Sequence, residues 1–243
     1  YVVNKNDNGF VTYGELDQGS SIPRLSDLDN DGDYDLVVGN QTGRILYFTN
    51  TGNSTHSNFE QKFGIKNPFF SINVESNAAP TMVDLDQDNK LDLVIHHPPL
   101  CARSRSGCRS SSGPGSVTLS NTIEYYKNTG TSDSPVFVQQ TNSENPFRSC
   151  AGYGDYYIAI AMSDLDNDGD MDAIVGLDSG SLAYLKNIGS PTVPLFSDQK
   201  GIDNPFSGIN VGGICECILY IWPLFFMILV LLFLHSYKYK WYN

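Results

Sequence analysis

The chain has 243 residues and a formal net charge of −12, from 27 acidic and 15 basic side chains. Fourteen of the 27 acids lie in three nine-residue stretches, so the rest of the chain balances 13 acids against 15 bases. The acidity is therefore local, and no basic patch suits nucleic acid; the three arginines of RSRSGCRSSS (103–112) are too few.

Residues 1–24 read as the end of a preceding repeat unit, and the opening Tyr1, with no visible signal peptide, marks a trimmed chain or a fragment. The first acidic stretch follows as DLDNDGDYD (27–35), matched downstream by DLDQDNKLD (84–92) and DLDNDGDMD (164–172). Each has carboxylates at positions 1, 3, 5 and 9. Alternate side chains of a tight turn point inward, and such an oxygen-only donor set suits a hard cation, calcium above all. In the first stretch Asp27, Asp29 and Asp31 are monodentate candidates, Asp33 offers its backbone carbonyl and Asp35 closes the site. In the second the same roles fall to Asp84, Asp86, Asp88, Lys90 and Asp92, and in the third to Asp164, Asp166, Asp168, Asp170 and Asp172. Gly32 and Gly169 at position 6 permit the positive φ of a sharp turn; Asn89 stands there in the second loop. The ammonium of Lys90 repels a cation, so the middle site is expected to bind most weakly.

An EF-hand needs Glu at position 12 and flanking helices. Position 12 here is Val38, Ile95 and Val175, and the flanks LVVG, LVI and AIVG predict strands, so the loops are hairpin loops. Metal-free acidic turns are the competing reading.

After each loop come a turn and an aromatic strand ending in Asn-x-Gly: ILYFTNTG (45–52), IEYYKNTG (123–130) and LAYLKNIG (182–189). A lone aromatic (Phe59, Phe137, Phe196) and an Asn-Pro-Phe follow (67–69, 145–147, 204–206). From first Asp to Asn the distance is 23 residues in the first and third units and 44 in the second, so the middle unit carries an insertion of 21 residues, about 98–119. Four short strand signals per unit, repeated, predict β-propeller blades. Tyr47, Tyr125 and Tyr184 are expected to fill the layers between blades.

This pattern, over roughly residues 10–212, resembles the FG-GAP/VCBS repeat family, whose relatives include integrin α-subunit propellers. The resemblance implies an all-β propeller, usually of seven blades, with about three structural calcium ions on one rim and a role in adhesion or surface recognition. Three complete units (25–212) make an incomplete propeller, since closure needs at least four blades.

Where a fourth loop is due, residues 214–234 form an apolar run with one acid, Glu216. It is long enough for one transmembrane helix, kinked at Pro223. His235, Lys238 and Lys240 place the tail, 235–243, in the cytoplasm and the repeats outside. Intron read-through is the alternative origin of this run. The chain would then be secreted, as a non-catalytic repeat region of a larger secreted enzyme or surface protein.

Cys101 and Cys108 could bridge within the insertion, Cys150 has no evident partner, and Cys215 and Cys217 are weak candidates for palmitoylation. His96 and His97 read as a surface turn, and Asn40 and Asn53 head glycosylation sequons, Asn40 in an accessible turn. No HExxH, GxSxG, phosphate loop or Cys/His catalytic motif occurs, so the expected role is binding of a protein or glycan ligand and not catalysis.

Overall fold

The computed structural model describes residues 4–5, 11–12, 21–53, 55–74, 76–97, 123–150, 159–177 and 179–212. The insertion with Cys101 and Cys108, and the apolar run with Cys215 and Cys217, lie outside the described residues. Among the described residues no helix is long and apolar enough to cross a membrane.

A two-stranded ribbon, β1 (Asn4–Lys5) and β2 (Val11–Thr12), comes first. Three four-stranded antiparallel sheets follow, each an up-and-down meander in chain order. Unit 1 holds β3 (Ile22–Ser26), β4 (Asp35–Gly39), β5 (Ile45–Asn50) and β6 (Phe59–Lys62). Unit 2 holds β7 (Ala79–Val83), β8 (Asp92–His96), β9 (Ile123–Asn128) and β10 (Phe137–Gln140). Unit 3 holds β11 (Ala159–Ser163), β12 (Asp172–Gly176), β13 (Leu182–Asn187) and β14 (Phe196–Gln199). Unit 1 thus begins at Ile22, a little before the boundary that the loop pattern set.

The second strands explain their own sequences. β8 and β12 are buried along their whole length, which is why they are continuous apolar runs and do not alternate. In β8, Leu93 and Ile95 pack into a core shared with Val37, Ile45 and Tyr47 of unit 1, whereas Val94 enters a second core with Ile160, Met162 and Ala173 of unit 3. Period-two alternation thus sends neighbouring residues to opposite neighbours. The first strands β3, β7 and β11 adjoin in series, and Thr81 Oγ1 donates to the Ile160 carbonyl (3.2 Å).

Aromatic stacking ties the units together. Phe69, the end of unit 1's Asn-Pro-Phe, stacks on Phe137 of unit 2 with centroids 4.9 Å apart. Phe147, the end of unit 2's, stacks on Phe196 of unit 3 at 4.3 Å. The lone aromatic and the Asn-Pro-Phe are therefore two halves of one joint between successive units. Phe206, the last such Phe, stays half-buried against Tyr184 of its own unit.

Two expectations about surface residues are corrected. His96 and His97 do not form a surface turn; they are 1% and 5% exposed, because β8 runs through the middle of the packed units. His97 Nε2 lies 3.0 Å from Glu124 Oε1. Burial opposes ionisation of Glu124, but hydrogen bonds from His97 and Tyr126 hold its carboxyl below the usual range. Asn40 is buried too. Its Oδ1 accepts from Thr42 N (3.1 Å), Thr42 Oγ1 (2.9 Å) and Arg44 N (3.0 Å), closing the β4–β5 turn from within. Asn53 sits in an exposed turn. Cys150 is buried, donates to the Phe196 carbonyl, and is pushed up to about 12 by burial, which makes it a packing residue.

Candidate metal centre

Each acidic loop is the hairpin connection between the first and second strands of its unit. The pairs Ser26↔Asp35, Val83↔Asp92 and Ser163↔Asp172 close the three ladders. No helix flanks any of them.

Position 1 organises the turn. Asp27 Oδ1 accepts from Asp31 N (3.1 Å) and Oδ2 from Gly32 N (3.0 Å). Asp84 does the same for Asp88 and Asn89, and Asp164 for Asp168 and Gly169. Position 5 accepts from the amide of position 7, as in Asp31 Oδ1 to Asp33 N at 2.9 Å. The expected positive φ appears at Gly32 (93°), Asn89 (63°) and Gly169 (94°). Position 4 is left-handed as well, at Asn30 (56°), Gln87 (55°) and Asn167 (61°), a feature the glycine pattern did not reveal.

The result is a triad in each loop. One carboxylate oxygen from each of Asp27, Asp29 and Asp31 lies within 4.8 Å of the others, and Asp84, Asp86, Asp88 and Asp164, Asp166, Asp168 repeat this. The donor set fits a hard cation. Asp29 Oδ1 and Asp86 Oδ1 are moreover buried without a hydrogen-bond partner, an arrangement that is costly unless a cation or water meets them.

Position 9 stands outside the triads. Asp35 is 1% exposed; its Oδ2 accepts from Tyr47 Oη (2.7 Å) and Leu28 N (3.3 Å), and its Oδ1 from Asn50 N (2.8 Å). Asp92 binds Tyr125, Leu85 and Asn128 in the same way, and Asp172 binds Tyr184 and Asn187. The Tyr-x-x-Asn of the aromatic strand thus locks the loop's last carboxylate onto the sheet. Tyr47, Tyr125 and Tyr184 are buried in the core as expected, but their hydroxyls also serve the loop. Burial pushes Asp35 and Asp172 up and Asp92 up to about 6, against the hydrogen bonds that favour the ionised form.

The Asn of Asn-x-Gly has a second task. Asn50 Oδ1 accepts from Gly52 N (3.1 Å) and Asn58 N (2.9 Å), bridging the next hairpin, as Asn128 and Asn187 do in theirs. A Cβ on Gly52 would stand 2.1 Å from the His56 carbonyl oxygen, so the turn admits only glycine.

Sequence reasoning passed over two further side chains. Lys127 of β9 bonds Asp86 Oδ2, and Lys186 of β13 bonds Asp166 Oδ2. Their only sequence signal is a basic residue just before the Asn of Asn-x-Gly; unit 1 has Thr49 there. The electrostatics follow. Asp29 is pushed up by burial and then by Asp35, Asp31 and Asp27, whereas the Lys186 hydrogen bond holds Asp166 below the usual range. Lys90 also bonds Asp88 Oδ2 within its own loop (2.9 Å) and donates to the carbonyl of Asn128 at the end of β9 (3.2 Å). Between loops, Gln87 Nε2 donates to the Gly169 carbonyl at 2.5 Å.

Residues 27–95, from the first loop to β8, match the family model of the FG-GAP-like repeat. That span carries FG-GAP-like repeats, as the motif pattern implied. No curated protein matches the chain. Among solved structures, the chain is similar to an Agrocybe aegerita lectin described for specific recognition of non-reducing terminal N-acetylglucosamine, with TM-score 0.47 and 15% identity. The similarity covers 82% of this chain and 43% of that one, so the match spans less than half of the lectin chain.

Proposed function

We propose that this chain is a calcium-binding repeat module of the propeller type, acting outside the cell in adhesion or surface recognition of a protein or glycan. The observation that carries the calcium reading is the threefold recurrence of one triad geometry on one hairpin in each unit. Asp27, Asp29, Asp31 and their counterparts hold the ion, with the carbonyls of Asp33, Lys90 and Asp170 and the carboxylates of Asp35, Asp92 and Asp172 as further oxygens at each loop. Bound calcium supplies the positive charge that lets these carboxylates share one turn.

The protein's part is to keep the carboxylates together at a cost. Each triad sits on amides aimed at position 1 and on a ninth aspartate fixed by Tyr and Asn, so little order is lost on binding. Such sites in extracellular modules have affinities of ~10⁻⁴–10⁻³ M. At tenfold excess over that value each ion stabilises the fold by about 1.4 kcal/mol. The serial packing of first strands and the Phe joints between units support blades of a propeller, and residues 214–234 would tether them to a membrane.

The test is a calcium titration of the full chain by calorimetry, with melting followed in parallel. We expect about three ions and a rise in melting temperature, with both reduced in Asp31→Ala and Asp168→Ala. A melting temperature indifferent to calcium would refute the structural role of the metal.

A further inference from the structure

The three triads share one spacing but not one cation environment. The residue before the Asn of Asn-x-Gly holds the same ladder position in each unit, as Thr49↔Glu60, Lys127↔Val138 and Lys186↔Ser197 show. From that position Lys127 bonds Asp86 and lies 3.9 Å from Asp88, while Lys186 bonds Asp166 and lies 3.9 Å from Asp168. Each ammonium therefore approaches positions 3 and 5, two of the three carboxylates of its triad. Lys90 adds a second ammonium at Asp88 in unit 2. In unit 1, among the described residues, no ion pair reaches Asp27, Asp29 or Asp31, and both Asp29 Oδ1 and Thr49 Oγ1 are buried without a hydrogen-bond partner. Asp86 gives independent evidence that the lysine is not a full substitute for an ion. It is 7% exposed, and its Oδ1 stays unpartnered although Lys127 holds Oδ2.

We propose that Lys127 and Lys186 are tethered cations that neutralise the second and third triads when calcium is low, so that the first triad takes a divalent cation first. The inference rests on the calcium reading of the loops. A lysine anchored in the adjoining strand competes at a high effective concentration, because its encounter with the triad is intramolecular. Calcium must displace it or bear its repulsion, and either reduces affinity. Among the described residues the first triad has no such competitor. It repels itself until a cation arrives, so it depends most on calcium and gains most from it. The second triad, with Lys90 as well as Lys127, ranks last.

The experiment is calorimetric calcium titration of the full chain, wild type beside Lys186→Met, Lys127→Met and Thr49→Lys, with melting in chelator as a second readout. We expect one tight ion and two weaker ones in the wild type. Each Lys→Met variant should tighten one weak site by about tenfold, equivalent to about 1.4 kcal/mol. Both should also melt lower than wild type in chelator and recover in calcium. Thr49→Lys should abolish the tight class and raise the melting temperature in chelator, which keeps the idea testable should a Lys→Met variant fail to fold. Three equivalent sites, unmoved by any of these substitutions, would overturn the inference and leave the calcium reading intact. Absence of calcium uptake in every variant would overturn both.

Discussion

Units 1 and 3 have nearly the same nine-residue loop, differing only at position 8, Tyr34 against Met171, yet their triads differ in electrostatic state. In unit 1 burial, and after it the neighbouring carboxylates, push Asp29 up; in unit 3 Lys186 bonds Asp166 and holds it down. Besides the difference in burial, a determinant lies outside the motif, on the third strand of the sheet. A ligand motif specifies which oxygens are offered. The third strand decides what charge they meet, and the frame beneath is common to both units.

The common frame should give the largest effects. Phe147→Ala removes a fully buried ring from the joint between units 2 and 3 and should cost about 3–5 kcal/mol in denaturant unfolding. Phe206→Ala, half-buried against Tyr184 of its own unit, should cost clearly less. Equal losses would mean that the stacks between units do not carry the packing energy.

The ninth aspartate comes next, and here the two units should agree. Asp35→Ala strands Tyr47 Oη and Asn50 N, and Asp172→Ala strands Tyr184 Oη and Asn187 N. Leaving buried donors unsatisfied costs about 1–3 kcal/mol each, so both variants should lose about 2–6 kcal/mol even in chelator. A loss seen only in calcium would make position 9 a ligand and nothing more.

The smallest effect separates the units again and is read by pH. In the calcium-free chain, carboxylate NMR should find Asp29 titrating above the ordinary 3.8 and Asp166 below it. The linkage signs are opposite. Asp29 holds its proton more tightly in the fold, so its contribution to stability falls as pH rises through its titration. Asp166 contributes stability above the ordinary value and loses it as pH falls through its lowered one. Asp92, pushed up to about 6, behaves like Asp29, so calcium-free stability should fall as pH rises from about 3.8 to about 6 at that group. Lys186→Met should bring Asp166 upward toward Asp29; an unchanged Asp166 would show that the lysine does not set its state.

Much of this protein is written locally. Carboxylate spacing, Gly or Asn at position 6, and short β-branched flanks were enough to place three hairpin loops, and the 23-residue interval fixed the repeat. Those features are legible because each acts within one turn or one strand, where residue type and backbone conformation are coupled directly. The pairing of lone Phe with Asn-Pro-Phe, the Tyr hydroxyl on the ninth aspartate, the burial of His96 and Asn40, and the reach of Lys127 and Lys186 were not legible. Each joins residues from different strands or different units, and periodicity says only that a residue is inside, never what it faces. The sequence alone determined the clustered carboxylates and the strands that carry them. Tertiary packing brought the third strand beside each loop, and only that placement lets Lys127 and Lys186, but not Thr49, meet the carboxylates with a charge.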